Sequence, residues 1–570
     1  MPRAVEPRPA QTTARDLRTA VAIFAAALAL RLLFLFRSAD AAWPHSALYE
    51  GDAPVWARWA KALGRGEPFE FDLPMRPPGM AWLLRWLGAD AVPFTGTKVL
   101  WCAISAATVA LLWLVLARWF TRRAAWIAAA LLAVSFGSFE LATSLNNEAP
   151  YALLVTAIVG ATLAWCDRPQ WRWALALGLL NGAALLLRAE HALLVVLLLA
   201  YGAWRVRGAA GLPRAAAQAV LAGAVALACC VPWMVRSHEA AQRFNTVPMQ
   251  QAPYRTATPR WTPEAEAYME SLPAFVRADN FAMMSMLGQK GGAATVQEAD
   301  VRGFFAQGWG YVPEPVADWS LVSMKGGLDF ALANHPLADG GFTRAGLGDV
   351  QSAAPEFAFA RPSHLRMLNH GYAMGWEWIA ADPGRWRLLV REKLQRFADG
   401  ITLGLFVSDW PYAGLHERRP VDVVTPVRGQ AYWWQALVLA LLAGGTVAAL
   451  RVRGGGSWVL VVLYKVLVTV AFYGYARQAT SIAPATFAVI ALGIDAAIGM
   501  VMARPGAGLR WAGAAIGVAL VAAAAWSAWL PPSVGIRTLR PEGKMMTAPE
   551  WGEGAFESTD WLVIERDGGN

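Results

Sequence analysis

The sequence predicts an all-α, polytopic membrane protein of about eleven transmembrane helices, with one large, mainly helical extracytoplasmic loop domain. Three observations carry this. First, of 570 residues 56% are hydrophobic and only 16% charged, against about 45–50% and about 25% in an average globular chain. Second, apolar runs of about 17–25 residues recur along the chain, the length that crosses a hydrocarbon core. Third, the short loops rich in arginine all fall on one side once the N-terminus is placed in the cytoplasm, as the positive-inside bias requires. The formal net charge of +9 is therefore read as topology, and no nucleic-acid partner is expected.

Taken in order, Arg3, Arg8, Arg15 and Arg18 precede a first span near 19–37, whose apolar run is too long for a signal peptide. Spans two to seven are expected near 92–117, 122–140, 147–166, 171–187, 191–206 and 214–235. Four more are expected near 431–450, 457–474, 480–502 and 511–530. This divides the chain into a membrane module (1–235) with a first outer loop (39–78), an extracytoplasmic domain (236–386), an interfacial helix with later spans (387–530) and an extracytoplasmic tail (531–570). Within 236–386, Thr262-Pro263-Glu264 reads as a helix start and Thr295 to Glu298 as a capping box. Asp382 followed by Pro383 reads as an N-cap and first helical position. The charged helix that follows is placed on the outer surface or as a re-entrant piece, because a crossing would invert every later arginine loop. All four cysteines, Cys102, Cys166, Cys229 and Cys230, lie in apolar runs, so no disulfide framework or cysteine-based zinc site is expected in the loops.

The first outer loop holds the strongest chemical candidates. Glu50 and Asp52 precede a helix-like stretch with Trp56 and Trp59, which would lie flat at the interface and hold a carboxylate there. A carboxylate so placed can take a proton from an acceptor hydroxyl; the plain alternative is two solvated loop acids. Arg76, stiffened by Pro77 and Pro78, suits phosphate or simple interfacial anchoring. Arg58 on the helix face suits phosphate or lipid headgroups. Further outer-end groups are Glu148, beside Asn146 and Asn147, then Arg188, Glu190 and His191 in one tight turn, and Arg477. Glu148 either caps its helix or approaches the site; Arg188 and Glu190 either pair with each other or meet substrate. An arginine in so short an outer loop as Arg477 runs against the topology bias and points to an anion partner. His364 and His370 are not spaced for one helical face, so they are not read as a metal pair. There is no Walker loop, dinucleotide glycine pattern or nucleophile elbow.

These residues together resemble the GT-C class of integral-membrane glycosyltransferases, in the branch of the protein O-mannosyltransferases and lipid A aminoarabinose transferases. The resemblance rests on Glu50 to Ala60, Arg76-Pro77-Pro78, Gly178 to Arg188 and Asp382 to Phe397, and more weakly on Arg477 to Pro484. It implies an inverting transferase in a bacterial plasma membrane. A polyprenyl-phosphate sugar would be the donor, and an envelope glycan, lipid or protein the acceptor. Asp52 would be the general base, and Arg76, Arg58 and Arg477 the donor-phosphate ligands. Glu50, Glu148, Arg188, Glu190 and His191 would line the substrate pocket, with no metal and no organic cofactor. The sequence departs from the family where Ala53 replaces an acid after Asp52, where Asp382 replaces a histidine and where Ala479 interrupts the element around Arg477. A lipid-linked sugar flippase and a non-catalytic envelope-assembly partner are the rival readings.

Overall fold

The computed structural model describes residues 12–37, 53–66, 73–87, 95–143, 145–246, 315–342, 362–403, 431–474 and 476–503, with short pieces at 260–264, 267, 295–296, 345–347 and 357. Glu50, Asp52, the expected span 511–530 and the tail lie outside the described residues. Contacts divide the chain into two units, one bounded by Met1–Arg65, Gly79–Cys229 and Val390–Asn570, the other by Gly66–Pro78 and Cys230–Leu389.

The first unit is a bundle of helices. They are α1 (Ala14–Arg37), α2 (Ala53–Arg65), α3 (Gly79–Trp86), α4 (Thr95–Trp119), α5 (Arg122–Ala133), α6 (Phe136–Thr143), α7 (Glu148–Asp167), α8 (Trp171–Leu187) and α9 (His191–Ala210). α10 (Leu212–Thr246) follows, and it runs on into the second unit. Among the described residues six helices are long and apolar enough to cross a membrane: α1, α4, α7, α9, α10 and a late helix, Ala483–Ala503. The expected third span is broken instead, α5 and the following helix bending by 67°. α8 and the later helix Gly455–Ala471 are apolar but shorter, as is the searched part, Leu437–Arg451, of another late helix. The described residues do not confirm the expected count of eleven spans. Thr13 and Asp16 cap α1 reciprocally, through Thr13 N–H to Asp16 (2.9 Å) and Asp16 N–H to Thr13 Oγ1 (3.2 Å). Thr121 caps α5 by accepting from Ala124 N–H at 3.1 Å.

Close packing without a driving force from water depends on small residues. Gly178 and Gly182 show this. A Cβ on them would lie 2.5 Å from Val225 and 2.6 Å from Cys229, so they allow α8 to meet α10 directly. The glycine-rich span of the sequence is therefore a helix-packing device. α2 packs on α3, and Trp56 and Trp59 are 3% and 4% exposed, with ring centroids 6.0 Å apart. The expectation that these tryptophans face the membrane interface is corrected: they fill protein core, and the exposed ones of this region are Trp82 and Trp86.

The second unit contains α11 (Gly326–Asn334), α12 (Pro362–Ala381) and the start of α13 (Pro383–Leu403). Phe330 of α11 packs against Tyr372 and Trp376 of α12 at 5.4 and 5.6 Å. Met324 N–H donates to Pro74 O and Ser323 Oγ to Met75 O, both at 2.8 Å, which ties down the chain beside Arg76. Asn245 exchanges two bonds with Val316 (2.9 and 3.0 Å), as a neighbouring strand would. Residues 263–264 are helical after Thr262, as expected. Thr295–Val296 is not a helix start: it is a short strand, β2, pairing in parallel with β1 (Arg260–Trp261). The β-branched pair favours extended backbone there over the cap. At α13, Asp382 accepts from Arg385 N–H at 2.9 Å, the expected N-cap.

Later helices α14 (Ala431–Arg451), α15 (Gly455–Ala471), α16 (Ala476–Thr480) and α17 (Ala483–Ala503) complete the first unit. α13 is not among the candidate spans. Its Lys393 is fully buried and donates to Val470 O at 3.1 Å; burial pushes its amine down to about 7. Gly474 makes the approach possible, since a Cβ there would lie 2.2 Å from Lys393 O.

Candidate functional site

At the end of the first unit where α8 finishes and α7 and α9 begin, five ionisable side chains form one buried chain of alternating charge. Lys465 of α15 pairs with Glu190. Glu190 pairs with Arg188 (2.8 Å), Arg188 with Glu148 (2.9 Å), and Glu148 with Arg477 of α16 (2.9 Å). Lys465 is 0% exposed, Glu148 1% and Arg188 7%, while the Arg477 side chain reaches 16%. Among the described residues three cations face two carboxylates in this chain. Ionisable groups so buried survive only when paired. Burial opposes the charge on Glu190, but Arg188 and Lys465 outweigh it and hold its carboxyl down to about 2.

Local backbone places these groups. Arg188 is the C-cap of α8, in extended conformation, with its N–H on Ala184 O. Glu190 sits two residues on, before the first turn of α9. Glu148 opens α7, where the helix dipole favours an anion. Leu145, just before it, is buried with φ +52°, a left-handed conformation that a leucine rarely adopts. Trp101 Nε1 ties the same turn by donating to Asn146 O at 2.9 Å. Asn147 is the N-cap of α7 but makes no side-chain cap; it donates to Leu187 O (3.1 Å) and accepts from Arg188 (3.2 Å). Glu148 likewise spends its Oε1 on two arginines. Gln478 accepts from Arg188 at 3.4 Å and so joins the α16 turn to the α8–α9 turn. The Arg477 contact is an ion pair without the alignment of a hydrogen bond.

A second, uncharged chain lies behind the first. Asn181 Nδ2 donates to Leu177 O (2.7 Å), so its Oδ1 faces His191 Nε2 (2.9 Å), which must carry the proton. His191 Nδ1 then accepts from Tyr151 OH, and Tyr151 accepts from Tyr464 OH, both at 3.0 Å. The Tyr151 ring also lies 5.4 Å beneath the Arg188 guanidinium. His191 is fully buried with both ring nitrogens engaged. It holds α7, α8 and α9 together.

The structure therefore brings together Glu148, Arg188, Glu190, His191 and Arg477. Arg58 is exposed on α2, and Arg76 is half-buried in the second unit. Lys465, Tyr151, Tyr464 and Asn181 join the site without having been singled out for it. Lys465 carried a signal, as a lone cation in an apolar run; the tyrosines carried none. His364 Nε2 bonds Leu347 O. Among the described residues no three His, Cys, Asp or Glu side chains gather as a metal set.

The fold and this site define a polytopic helical membrane protein with a paired, cation-rich cluster at the helix ends. Residues 75–235 match the family model described as dolichyl-phosphate-mannose-protein mannosyltransferase, in agreement with the resemblance read from the sequence. No curated protein matches significantly. Among solved structures, the chain is similar to the oligosaccharyltransferase AglB of Archaeoglobus fulgidus, in complex with an inhibitory peptide and a dolichol-phosphate. That likeness has a TM-score of 0.42 and 14% identity over 97% of this chain and 60% of that one. It is also similar to ArnT of Cupriavidus metallidurans bound to undecaprenyl phosphate, with a TM-score of 0.33 and 13% identity over 86% and 80%. The chain spans about 60% of the length of the oligosaccharyltransferase.

Proposed function

We propose that this protein is a membrane glycosyltransferase that moves a sugar from a polyprenyl-phosphate donor to an envelope glycan, lipid or protein. It does so at the extracytoplasmic face of a bacterial plasma membrane, with the N-terminus in the cytoplasm. The observation that carries the reading is the buried charge chain, with Arg477 at its less buried end, in a polypeptide whose residues 75–235 match a family of lipid-phosphate sugar transferases. An anionic phosphate head is the ligand such an end suits.

In this reading the acceptor hydroxyl attacks the anomeric carbon and inverts it. The bond from that carbon to the phosphate oxygen breaks, and its electron pair leaves with the polyprenyl phosphate. Asp52 takes the hydroxyl proton. Arg477 stabilises the departing phosphate, with Arg76 and Arg58 as further phosphate ligands; such charges act most strongly where water is excluded. The flippase reading expects charges paired across the bilayer middle. Lys465 instead reaches Glu190 in the α8–α9 turn, and Asp495 reaches Arg123 at the start of α5, both helix ends.

The test is a strain lacking the gene, restored with wild type or Asp52→Asn at matched protein level. Extracted glycolipids, polysaccharides and glycoproteins are compared by mass spectrometry. Wild type restores one sugar mass, and Asp52→Asn loses it, by about 10²–10⁴-fold for removal of a general base. Full restoration by Asp52→Asn would remove Asp52 from the chemistry.

A further inference from the structure

We infer that arginines from three turns at the far end of the first unit form a binding site for an anionic phospholipid with two phosphates, with Arg205 and Arg453 as its principal ligands. The site lies at the end of α7 away from the buried charge chain, about 30 Å along a helix of 20 residues. It is independent of the sugar-transfer chemistry proposed above.

Arg168 and Arg172 flank the α7–α8 turn, Arg205 and Arg214 the α9–α10 turn, and Arg451 and Arg453 the α14–α15 turn. Packing gathers these turns. Trp165 Nε1 donates to Gln218 Oε1 at 2.8 Å, and Gln218 Nε2 to Pro169 O at 3.1 Å, which ties α10 to the α7–α8 turn. Gly202 lets α9 lie on the Trp165 ring, which any Cβ there would strike. Gly454, at φ +84°, fits the α14–α15 turn against Leu163 of α7, and Gly456 fits the start of α15 against Tyr201 of α9. Arg453 thereby reaches Cys166 O in the last turn of α7 at 3.5 Å. Arg205 stands one turn on from Tyr201, on the same stripe of α9. The charges of Arg205 and Arg453 both act on Cys166.

Each of these arginines is exposed. The stretches 165–173, 203–216 and 449–457 contain one acid, Asp167, which lies 3.7 Å from Arg168. Among the described residues Arg172, Arg205, Arg214 and Arg451 have no carboxylate partner. The arginines at the start of α5, next to the Phe120 that also faces Gly454, differ: Arg122 pairs with Asp16 at 2.7 Å and Arg123 with Asp495. Topology asks for arginines at this end, but not that one group be matched by carboxylates and another left open. The surface around the open group is apolar. Trp171, Trp204 and Leu212 are 44%, 63% and 64% exposed, and Arg207 stacks on the Trp204 ring. Exposed tryptophans belong at headgroup level, where phosphate is the anion at hand, and guanidinium binds it in a fork. A basic notch between the ends of membrane helices suits a lipid with two phosphates.

The experiment is native mass spectrometry of the full chain, stripped of lipid in detergent and titrated with tetraoleoyl cardiolipin or dioleoyl phosphatidylcholine. Wild type should hold cardiolipin at least about tenfold more tightly than phosphatidylcholine, the scale of one charge-assisted hydrogen bond. Arg205→Gln and Arg453→Gln should each weaken cardiolipin binding by about tenfold. Arg205→Lys, which keeps the charge but loses the planar fork, should fall between wild type and Arg205→Gln. Arg122→Gln removes the same charge at the same end but outside the site. It should change binding by less than about twofold, because Asp16 already meets that charge. Arg205 makes no hydrogen bond or ion pair among the described residues, so Arg205→Gln carries the test if Arg453→Gln does not fold. A loss in Arg122→Gln as large as that in Arg205→Gln would reduce the site to diffuse charge and overturn the inference. So would an Arg205→Gln that binds like wild type, or equal binding of the two lipids. Displacement of cardiolipin by equimolar inorganic phosphate would make free phosphate the ligand and overturn it as well.

Discussion

Arg31 and Arg188, two of the buried arginines of the first unit, are satisfied in different ways. Arg31 of α1 is 0% exposed. It donates to Ser105 Oγ (2.7 Å), to Ala27 O (3.1 Å) and to Leu132 O in the last turn of α5 (3.5 Å), and it lies 5.3 Å from the Phe139 ring. Among the described residues no carboxylate pairs with it. Arg188 also lies over an aromatic ring, but its strongest partners are two carboxylates. The difference is what each removal leaves behind. Deleting Arg31 strands neutral acceptors, among them the carbonyl end of a half-helix, which favours a cation. Deleting Glu190 from the charge chain takes the carboxylate from the fully buried Lys465, and a buried unpaired charge is far more costly. Arg31 is a fastener across the bend between α5 and α6. The other cluster is an interdependent unit.

The largest expected effect breaks the charge chain. Glu190→Leu leaves Lys465 buried without its carboxylate and should cost about 3–5 kcal/mol. Lys465→Met added to it should recover much of that loss, because the stranded charge is gone. Thermal unfolding of the detergent-solubilised chain reads both; a Glu190→Leu protein as stable as wild type would end the idea of an interdependent unit. Next comes Arg31→Met, expected to cost about 1–3 kcal/mol, the scale of buried acceptors left unmet. A loss as severe as that of Glu190→Leu would mean that Arg31 carries a charge partner after all, and the contrast would collapse. Smallest is Ser105→Ala, which removes one neutral acceptor and should cost about 1 kcal/mol. Added to Arg31→Met it should cost nothing further, since the two are one contact; additive losses would separate them.

The site was legible in part. Arg188, Glu190 and His191 stood out as charges in a turn too short to be mere linker, and Arg477 as an arginine on the side where topology disfavours it. The mutual Arg188–Glu190 pair was one of the two readings open, and it is present. Glu148 was read as a cap or a site residue; as a cap it would not have needed Arg477. Arg31 drew no attention, because one charge in a long apolar run barely lowers its hydropathy. Trp56 and Trp59 read as interfacial in the sequence because an interfacial helix and a helix packed under another share the same periodicity.

Composition, apolar run length and the placement of arginines determined by themselves that the chain is a helical membrane protein, and roughly where most of its helices lie. Partition between water and hydrocarbon is a property of each residue and its near neighbours, so a linear reading captures it. Tertiary structure alone decided the pairings. Lys465 and Glu190 are 275 residues apart, and Arg188 and Gln478 are 290. It also decided the bend after α5 and the burial of the α2 tryptophans. Each depends on which surfaces meet, and a buried charge is tolerable only when its partner arrives from elsewhere in the chain.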